Sequence, residues 1–353
     1  MARHDTEMNQ RLIWISFGPI GDTLLMLAFF DDLLRLEPDM RFKVLTSANA
    51  KTIKELSAAY PSVEVVQIPG AAGLIPFMAR LMRKRSTVIV PGVARTYSLQ
   101  IKLFFWALSL RPGNLILGFR EWTGMQGWLP FDRSYSYDFK SSIIDNYRRL
   151  IPDFLPGKKI VPRPPHVNLI LNKPSSPDSL LPTTPYFVIH MFGTRPRYSF
   201  PPKRWHLLLT EIRKRFPSYG LVLTGATKDE ALIKEVSKDI PGIHLYVDRP
   251  ILDVASVIYG SALYIGVDTG ITHLAAVQGV KSVVIGHNTD PMWLPYYNPN
   301  GVVLTNNARC LCKGDKSGDC VVYEDSVAYR RCTYDVTIED VCKAIEKALQ
   351  RAG

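Results

Sequence analysis

Short apolar runs alternate with stretches of helical apolar spacing along most of the chain. Runs rich in Val, Ile, Leu and aromatic residues favour buried strands, and apolar residues recurring every three or four positions favour amphipathic helices. The predicted strands are 12–16, 42–45, 63–68, 87–90, 115–118, 186–191, 221–224, 244–247, 263–267 and 282–285. The predicted helices are 20–36, 49–58, 97–110, 203–216, 229–238, 251–259, 272–278 and 338–352, the last with Thr337 as its N-cap. This alternation indicates an α/β fold with parallel sheets.

A proline-rich stretch divides the pattern in two. Residues 161–185 show little periodicity, and proline removes a backbone donor and disfavours helix before it. We therefore predict an α/β domain over 1–160, a linker over 161–185 and a second α/β domain over 186–353, which includes a cysteine-rich segment at 310–332. Two domains joined by a hinge predict a cleft between them, where ligands bind.

The charge of the chain narrows the class of ligand. The 353 residues carry a formal net charge of +11. The Lys and Arg residues are spread along the chain without a nucleic-acid-binding signature, which disfavours nucleic acid as a partner and leaves a phosphorylated substrate or an anionic membrane surface. No export signal or spanning stretch is recognised, so we expect a cytoplasmic protein, with the inner face of the membrane as a surface on which it can lie.

A glycine-rich turn follows the first predicted strand. Its sequence is Gly18-Pro19-Ile20-Gly21-Asp22, and the spacing is not that of a dinucleotide-binding fingerprint. The glycines allow a tight turn and leave room for a ligand. Asp22 is either a helix-capping residue or a carboxylate that acts as a general base.

A second turn, Gly266-Val267-Asp268-Thr269-Gly270, leads from a buried strand into a helix. Backbone N–H groups from Thr269 to Thr272 would form an anion site at the start of that helix, and a diphosphate would suit it. His273 on the first helical turn is either a core residue or a ligand contact. The Asp-Thr-Gly of aspartic proteases belongs to all-β proteins and does not fit this setting.

A third group follows the first strand of the second half. Gly193-Thr194-Arg195 comes after that strand, and Lys203-Arg204-Trp205 opens the next helix. A hydroxyl, a loop glycine and a lysine at a helix start can surround a phosphate. The alternative is an exposed basic loop.

Four cysteines lie close together in the sequence, at positions Cys310, Cys312, Cys320 and Cys332. Four soft ligands in a short segment suit a structural zinc or iron ion, although the spacing is not a standard pair of Cys-x2-Cys motifs. Free thiols and disulfides remain the alternatives. Cys342, in the last helix, is expected to be a core residue.

Together these motifs resemble those of glycosyltransferase family 9, the heptosyltransferases. The resemblance is carried by Gly-x-Ile-Gly-Asp after the first strand, Lys-x-Trp at a helix start, and Gly-Val-Asp-Thr-Gly followed by His-Leu-Ala-Ala; Asp290-Pro291 resembles the next motif of the family. The order and spacing match over nearly the whole chain. The resemblance implies a GT-B type fold of two facing Rossmann-like domains, the first for the acceptor and the second for the donor.

The resemblance also implies an activity. The protein would be an inverting, metal-independent glycosyltransferase that moves a heptose from ADP-heptose to lipopolysaccharide core, an anionic lipid-linked sugar, with no catalytic cofactor. Asp22 would be the catalytic base. The residues that the resemblance places at the donor are Thr194, Lys203, Asp268, Thr269, Gly270, Ile271 and His273. The sequence departs from the family pattern at His287-Asn288, where a proline-containing turn is common.

Alternatives remain for the acceptor and for the type of reaction. A protein acceptor is the runner-up, because a subgroup of the family that acts on proteins binds iron at cysteines in this region. A nucleotide-sugar epimerase of the same fold is the other alternative, and a catalytically silent binding module is disfavoured by Asp22 and Lys203. Gly21, Arg95 and Arg120 are the residues that we expect at the acceptor, the two arginines to meet an anionic group.

Overall fold

The chain forms two separate α/β units. The computed structural model of the protein describes residues 11–16, 19–46, 49–69, 71–81, 85–91, 109–110, 112–119, 131–171, 181–193, 198–287, 291–306 and 320–351. One compact unit spans Met1–Leu169 and the other Ile170–Gly353.

A parallel six-stranded sheet forms the centre of the first unit. Its strands are β1 (Arg11–Ser16), β2 (Arg41–Thr46), β3 (Val63–Gln67), β4 (Thr87–Val90), β5 (Leu115–Phe119) and β6 (Arg133–Tyr135). They lie in the order β3-β2-β1-β4-β5-β6, with every pair parallel. β6 is too short for a periodicity signal and was not predicted. The strand order reverses direction between β1 and β4, as in doubly wound sheets.

The helices of the first unit cover this sheet and account for its apolar core. The described helices are α1 (Ile20–Leu36), α2 (Ala50–Leu56), α3 (Ala71–Leu81), α4 (Ile143–Arg148) and α5 (Ile151–Phe154). Almost the whole length of α1 is buried, which its high apolar content requires. Trp14 of β1 packs edge-on against Phe30 and Tyr147, so aromatic rings fill the space between sheet and helices. The predicted helix at 97–110 lies almost entirely outside the described residues.

The second unit repeats the same sheet topology. Its strands are β7 (Tyr186–His190), β8 (Gly220–Gly225), β9 (Ile243–Val247), β10 (Leu263–Val267), β11 (Ser282–Ile285) and β12 (Gly301–Leu304). Their order is β12-β11-β10-β7-β8-β9, again all parallel. Counted within the unit, this is the strand order of the first sheet, and it reverses between β7 and β10. The predicted α/β class with two parallel sheets is therefore confirmed.

The helices of the second unit lie close to the predicted positions, except the short helix at Arg331–Tyr334, which was not predicted. They are α6 (Pro202–Arg215), α7 (Glu230–Val236), α8 (Ile251–Tyr259), α9 (Gly270–Val277), α10 (Arg331–Tyr334) and α11 (Ile338–Gln350). α11 begins with a complete capping box, in which Thr337 and Asp340 each bond the other's backbone N–H. A hairpin of β13 (Val321–Glu324) and β14 (Val327–Arg330) was not predicted. None of the helices described is both long and apolar enough to cross a membrane.

A buried ion network ties the start of the proline-rich segment to α1. The Arg163 guanidinium donates to Asp31 and, at 3.0 Å, to Asp32. Arg148 donates to the other oxygen of Asp32 at 2.8 Å and to the Arg163 carbonyl at 3.0 Å. Asn168 extends the network through its side-chain amide, which donates to Asp31 at 3.3 Å. The first residues of the predicted linker are therefore fixed against the first unit.

Asp32→Ala should destabilise the first unit by roughly 3 kcal/mol, because it leaves two arginine side chains without their shared carboxylate. Only 2% of the Asp32 side chain is exposed, so water cannot replace it. Urea denaturation followed by circular dichroism measures the change. Glu37→Ala is the control, since it breaks the solvent-exposed pair with Lys158 and should cost about 1 kcal/mol or less. Equal losses in the two variants would contradict the special role of Asp32.

Candidate functional site

Asp22 lies in the first turn of α1, directly beyond the carboxyl end of β1. The N-cap is Pro19, which offers no side-chain cap, and Asp22 is the third helical residue. Thr23 closes the turn by donating its N–H and its hydroxyl to the Pro19 carbonyl, each at 3.0 Å. Asp22 is therefore not the N-cap, and the turn presents its carboxylate at the edge of the sheet where ligands bind in this topology. Gly21, beside it, is buried in the same turn.

The surroundings of Asp22 favour the neutral form of its carboxyl group. Burial raises the pKa of Asp22 to about 7. Tyr147, a fully buried residue of α4, lies within electrostatic range of the carboxylate. Within the described part of the chain, no hydrogen bond or ion pair reaches the carboxylate of Asp22. A carboxylate that titrates near neutral pH and has no described hydrogen-bond partner is suited to general-base chemistry.

The reversal of strand order in the second unit brings two predicted motifs together. Gly193 follows β7 and Thr269 follows β10, its neighbour in the sheet. A Cβ atom on Gly193 would lie 3.0 Å from the Thr269 methyl group, so a larger residue would push the two loops apart. Thr194 and Arg195 lie outside the described residues. Gly193, which begins the motif after β7, therefore lies against the motif after β10 at the carboxyl edge of the sheet.

The amino terminus of α9 lies at the same edge of the sheet. Thr269 is the N-cap, and the amides of Gly270 and Ile271, as the first helical residues, have no acceptor within the helix. The amides of Thr272 and His273 instead donate to the Thr269 carbonyl at 3.1 and 3.3 Å. The expectation that the amide of Thr272 is available was therefore wrong. The Thr272 hydroxyl bonds the Tyr264 hydroxyl at 2.9 Å, which fixes the helix start to β10.

Asp268 sits between two histidines. Its carboxylate lies 3.2 Å from Nδ1 of His287, which follows β11, and 4.0 Å from Nε2 of His273 in α9. About a tenth of each of these side chains is exposed. Burial raises the pKa of Asp268 to about 7 and lowers the pKa of His273 to about 4. His273 is therefore neutral at physiological pH, and Asp268 can exchange a proton there.

Each of these histidines contacts a tyrosine that the sequence analysis did not single out. The Tyr297 hydroxyl is hydrogen-bonded to Nδ1 of His273 at 2.7 Å, and burial raises the pKa of Tyr297 above its ordinary value. The Tyr198 ring stacks on His287 with 4.1 Å between ring centroids. The sequence gives no signal for the contact between Tyr297 and His273, because the two residues are 24 positions apart and follow different strands.

Lys203 is the second residue of α6, after Pro202 in the first helical position. Its ammonium group lies 2.8 Å from the Asp325 carboxylate, and about two thirds of each side chain is exposed. Asp325 occupies the turn between β13 and β14, where it and Ser326 both have positive φ. The hydrogen bond and charge of Asp325 raise the pKa of Lys203. The predicted phosphate-binding lysine is thus already paired with a carboxylate.

Neighbouring side chains hold the start of α6 in place. The guanidinium of Arg204 lies 4.9 Å from the ring centroid of Phe200 and 5.0 Å from that of Tyr334 in α10. Trp205 is fully buried in the core. The Lys-x-Trp motif therefore combines a core anchor with an exposed cation.

Several predicted site residues lie beyond what the structure describes. Cys310, Cys312, Arg95 and Arg120 are outside the described residues. Cys320 and Cys332 are both buried. No group of three or more metal-ligating side chains occurs in the described ranges. Cys342 is buried in α11 among apolar residues, as expected of a core residue.

Known structures share this architecture over nearly the full chain. A glycosyltransferase family 9 protein from Veillonella parvula DSM 2008 matches with a TM-score of 0.71 at 15% identity, covering 98% of this chain and 99% of that one. The ADP-heptose lps heptosyltransferase II of E. coli matches with a TM-score of 0.69 at 16% identity, covering 96% and 98%. The iron-containing dodecameric glycosyltransferase TibC from enterotoxigenic E. coli H10407 matches with a TM-score of 0.53 at 14% identity, covering 96% and 76%. These likenesses establish a common fold.

The sequence itself decides the family. A search of curated proteins gave no significant match. The family model described as glycosyltransferase family 9 (heptosyltransferase), however, matches residues 107–321, which is more than half of the chain. That region includes the turn after β10 with Asp268 and Thr269, and the start of α6 with Lys203. The protein therefore belongs to glycosyltransferase family 9, the heptosyltransferases, and is a glycosyltransferase.

Proposed function

We propose that this glycosyltransferase moves a heptose from ADP-heptose to a sugar of the lipopolysaccharide core, with inversion and without a metal ion. Family membership and the likeness to an ADP-heptose lps heptosyltransferase support this donor and this acceptor. One observation of the structure carries the proposal. The open amides at the start of α9 follow Asp268, and the methyl group of the N-cap Thr269 lies against Gly193, at the reversal of strand order where parallel sheets bind nucleotides.

The donor diphosphate binds at the start of α9 in this proposal. The amides of Thr269, Gly270 and Ile271 point their N–H groups at its oxygens, and the positive end of the helix dipole stabilises its charge. Lys203 leaves Asp325 and pairs with the phosphate, and Thr194 adds a hydroxyl. These groups stabilise the negative charge that grows on the diphosphate as the sugar leaves.

Asp22 acts on the acceptor. Its carboxylate takes the proton from the acceptor hydroxyl while the oxygen attacks the anomeric carbon of the heptose. A new carbon–oxygen bond forms, the bond to the diphosphate breaks, and the bonding electron pair leaves with ADP. A single displacement from the opposite face inverts the anomeric centre. Fixed amides and Lys203 stabilise the leaving group, so this step needs no metal ion.

The acceptor of this reaction is anionic in our proposal. The net charge of +11 favours a phosphorylated glycolipid, with Arg95 and Arg120 as its contacts and the inner face of the cytoplasmic membrane as its location. A protein acceptor is the second candidate, favoured by the four-cysteine segment and by the likeness to iron-containing TibC. An epimerase is disfavoured, since the family match is to transferases.

An assay of ADP release tests the proposal as a whole. Purified protein is given ADP-heptose with a dephosphorylated or phosphorylated core acceptor, or with a protein acceptor. We expect ADP and the glycosylated product to appear only when the phosphorylated glycolipid is present. Product on the protein acceptor alone would favour the second candidate, and conversion of the nucleotide sugar without acceptor would favour an epimerase.

Asp22→Asn should lower kcat by about 100- to 10,000-fold, because the acceptor hydroxyl loses its base. In the wild-type enzyme, the ionised form of Asp22 is the active one. Its kcat/KM should therefore rise with pH up to the pKa of about 7 and level off above it. The variant should lose this rising limb and still bind ADP. Asp39→Asn, at an exposed turn of the same unit, is the matched control. Turnover near the wild-type value in Asp22→Asn would show that Asp22 is not the catalytic base.

Lys203→Ala should weaken ADP binding roughly tenfold, because a charged hydrogen bond to the diphosphate is lost. Asp325→Asn should do the opposite and tighten binding by up to about fivefold, since it releases Lys203 from an exposed ion pair. Titration calorimetry measures both. Lys234→Ala is the control, because it removes a similarly exposed lysine paired with Glu230. An unchanged ADP affinity in Lys203→Ala would show that this lysine does not contact the donor.

The four-cysteine segment should hold one zinc or iron ion with a structural role. Four thiolates close a tetrahedral shell, so chelation should lower the thermal stability and leave the chemical step unaffected. Elemental analysis of protein purified without added metal should find about one equivalent. Cys332→Ser should lose it, and Cys342→Ser should keep it. A content below about 0.1 equivalents would contradict the metal site, and four titratable thiols would then show that these cysteines are free thiols.

A further inference from the structure

His287 stands where the sequence departs from the family pattern, and the structure places it against Asp268. Its Nδ1 is 3.2 Å from the Asp268 carboxylate, and its ring is stacked on Tyr198. Tyr198 therefore fixes the plane of the imidazole beside the carboxylate. The proposed reaction gives His287 no role.

Asp268 poses an electrostatic problem for the donor site. It directly precedes the start of α9, where the proposed function seats a diphosphate, and like charges repel strongly in a buried site. The described titratable groups that face Asp268 are His273 of α9, His287 after β11, Tyr297 before β12 and Tyr264 of β10. No lysine or arginine pairs with Asp268 in the described part of the chain.

His273 does not solve this problem. Burial keeps the pKa of this histidine near 4. The Nδ1 atom of His273 is already hydrogen-bonded to the Tyr297 hydroxyl. The two tyrosines are held protonated, because burial and the charge of Asp268 raise their pKa values. Among the described residues, His287 is the remaining neighbour that can carry a positive charge, at 3.2 Å from the carboxylate.

We propose that His287 is the charge-compensating residue of the donor site, and that the Asp268–His287 pair takes up one proton from solvent when a nucleotide diphosphate binds. The inference rests on the proposed donor site at α9. The proton can sit on the imidazole or on the carboxylate, and either position makes the pair neutral in net charge. The diphosphate then meets a neutral pair instead of a carboxylate.

The properties of the free site agree with this role. Burial raises the pKa of Asp268 to about 7, so adding one proton to the pair near neutral pH costs little free energy. Binding of a proton and binding of an anion at adjacent positions each favour the other, which makes them linked equilibria. Nucleotide affinity should therefore fall as pH rises above neutrality.

Titration calorimetry of the full chain with ADP-glucose tests the linkage. The diphosphate of this probe is esterified at both ends, so it has no proton that titrates between about pH 6 and about pH 8. Repeating the titration in buffers of different ionisation enthalpy counts the protons exchanged. We expect net uptake of up to one proton per ligand. Binding without proton uptake would overturn the inference and leave the donor site intact.

Variants show which residues carry the effect. His287→Gln should weaken ADP-glucose binding roughly tenfold at about pH 8, where Asp268 is ionised, and less at about pH 6. Asp268→Asn added to His287→Gln should recover the affinity and abolish proton uptake, because no charge then needs compensation. His244→Gln, which alters a half-buried histidine of the edge strand β9, is the control and should bind like the wild type.

The outcomes separate this inference from the proposed function. A loss of equal size at both pH values, with no recovery in the double variant, would mean that His287 only supports the local structure, and the inference would fail. If the wild type bound neither ADP-glucose nor ADP, the donor site itself would be wrong. The proton count on the wild-type enzyme decides the matter even if a variant does not fold.

Discussion

In both units the position of the ligand-binding turns depends on one constraint. All strands of a parallel sheet have their carboxyl ends at the same edge of the sheet. Where the strand order reverses, the connections on either side leave in opposite directions and open a space that side chains do not fill. The turn after β1 carries Asp22 at such a point in the first unit. In the second unit the turns after β7 and β10 meet there, with Gly193 against Thr269. The topology thus decides where chemistry can occur before any reactive residue is considered.

Burial at these turns shifts the pKa values of two aspartates in the same way, and their neighbours suit them to different roles. The pKa of each is raised to about 7 by loss of hydration. Asp22 lies within electrostatic range of Tyr147 and has no ionic partner among the described residues, which suits a group that accepts and releases a proton in each turnover. Asp268 lies between two histidines, which suits a group whose charge is adjusted when an anion arrives. The same shift therefore supports two separate roles.

Away from these turns, two groups of charged side chains connect segments that are distant in the sequence. Arg148 and Arg163 share the carboxylates of α1 and so hold the proline-rich segment on the first unit. Lys203 and Asp325 join the start of α6 to the β13–β14 hairpin, and Arg204 packs on Tyr334 nearby. The first network is buried and serves stability, whereas the Lys203 pair is exposed and weak enough to be exchanged for a ligand.

The sequence by itself determined the features that depend on neighbouring residues. Apolar periodicity and short turn motifs predicted most strands and helices, the Thr337 cap, and the placement of Asp22 and Asp268 after strands, because hydrogen bonding and burial in these elements are local. Tertiary structure decided what depends on contacts between distant segments. Such contacts pair Lys203 with Asp325, place Tyr297 on His273 and set His287 beside Asp268. They also produce the pKa shifts, since dehydration of a carboxylate depends on every element packed around it and no single stretch of sequence records that.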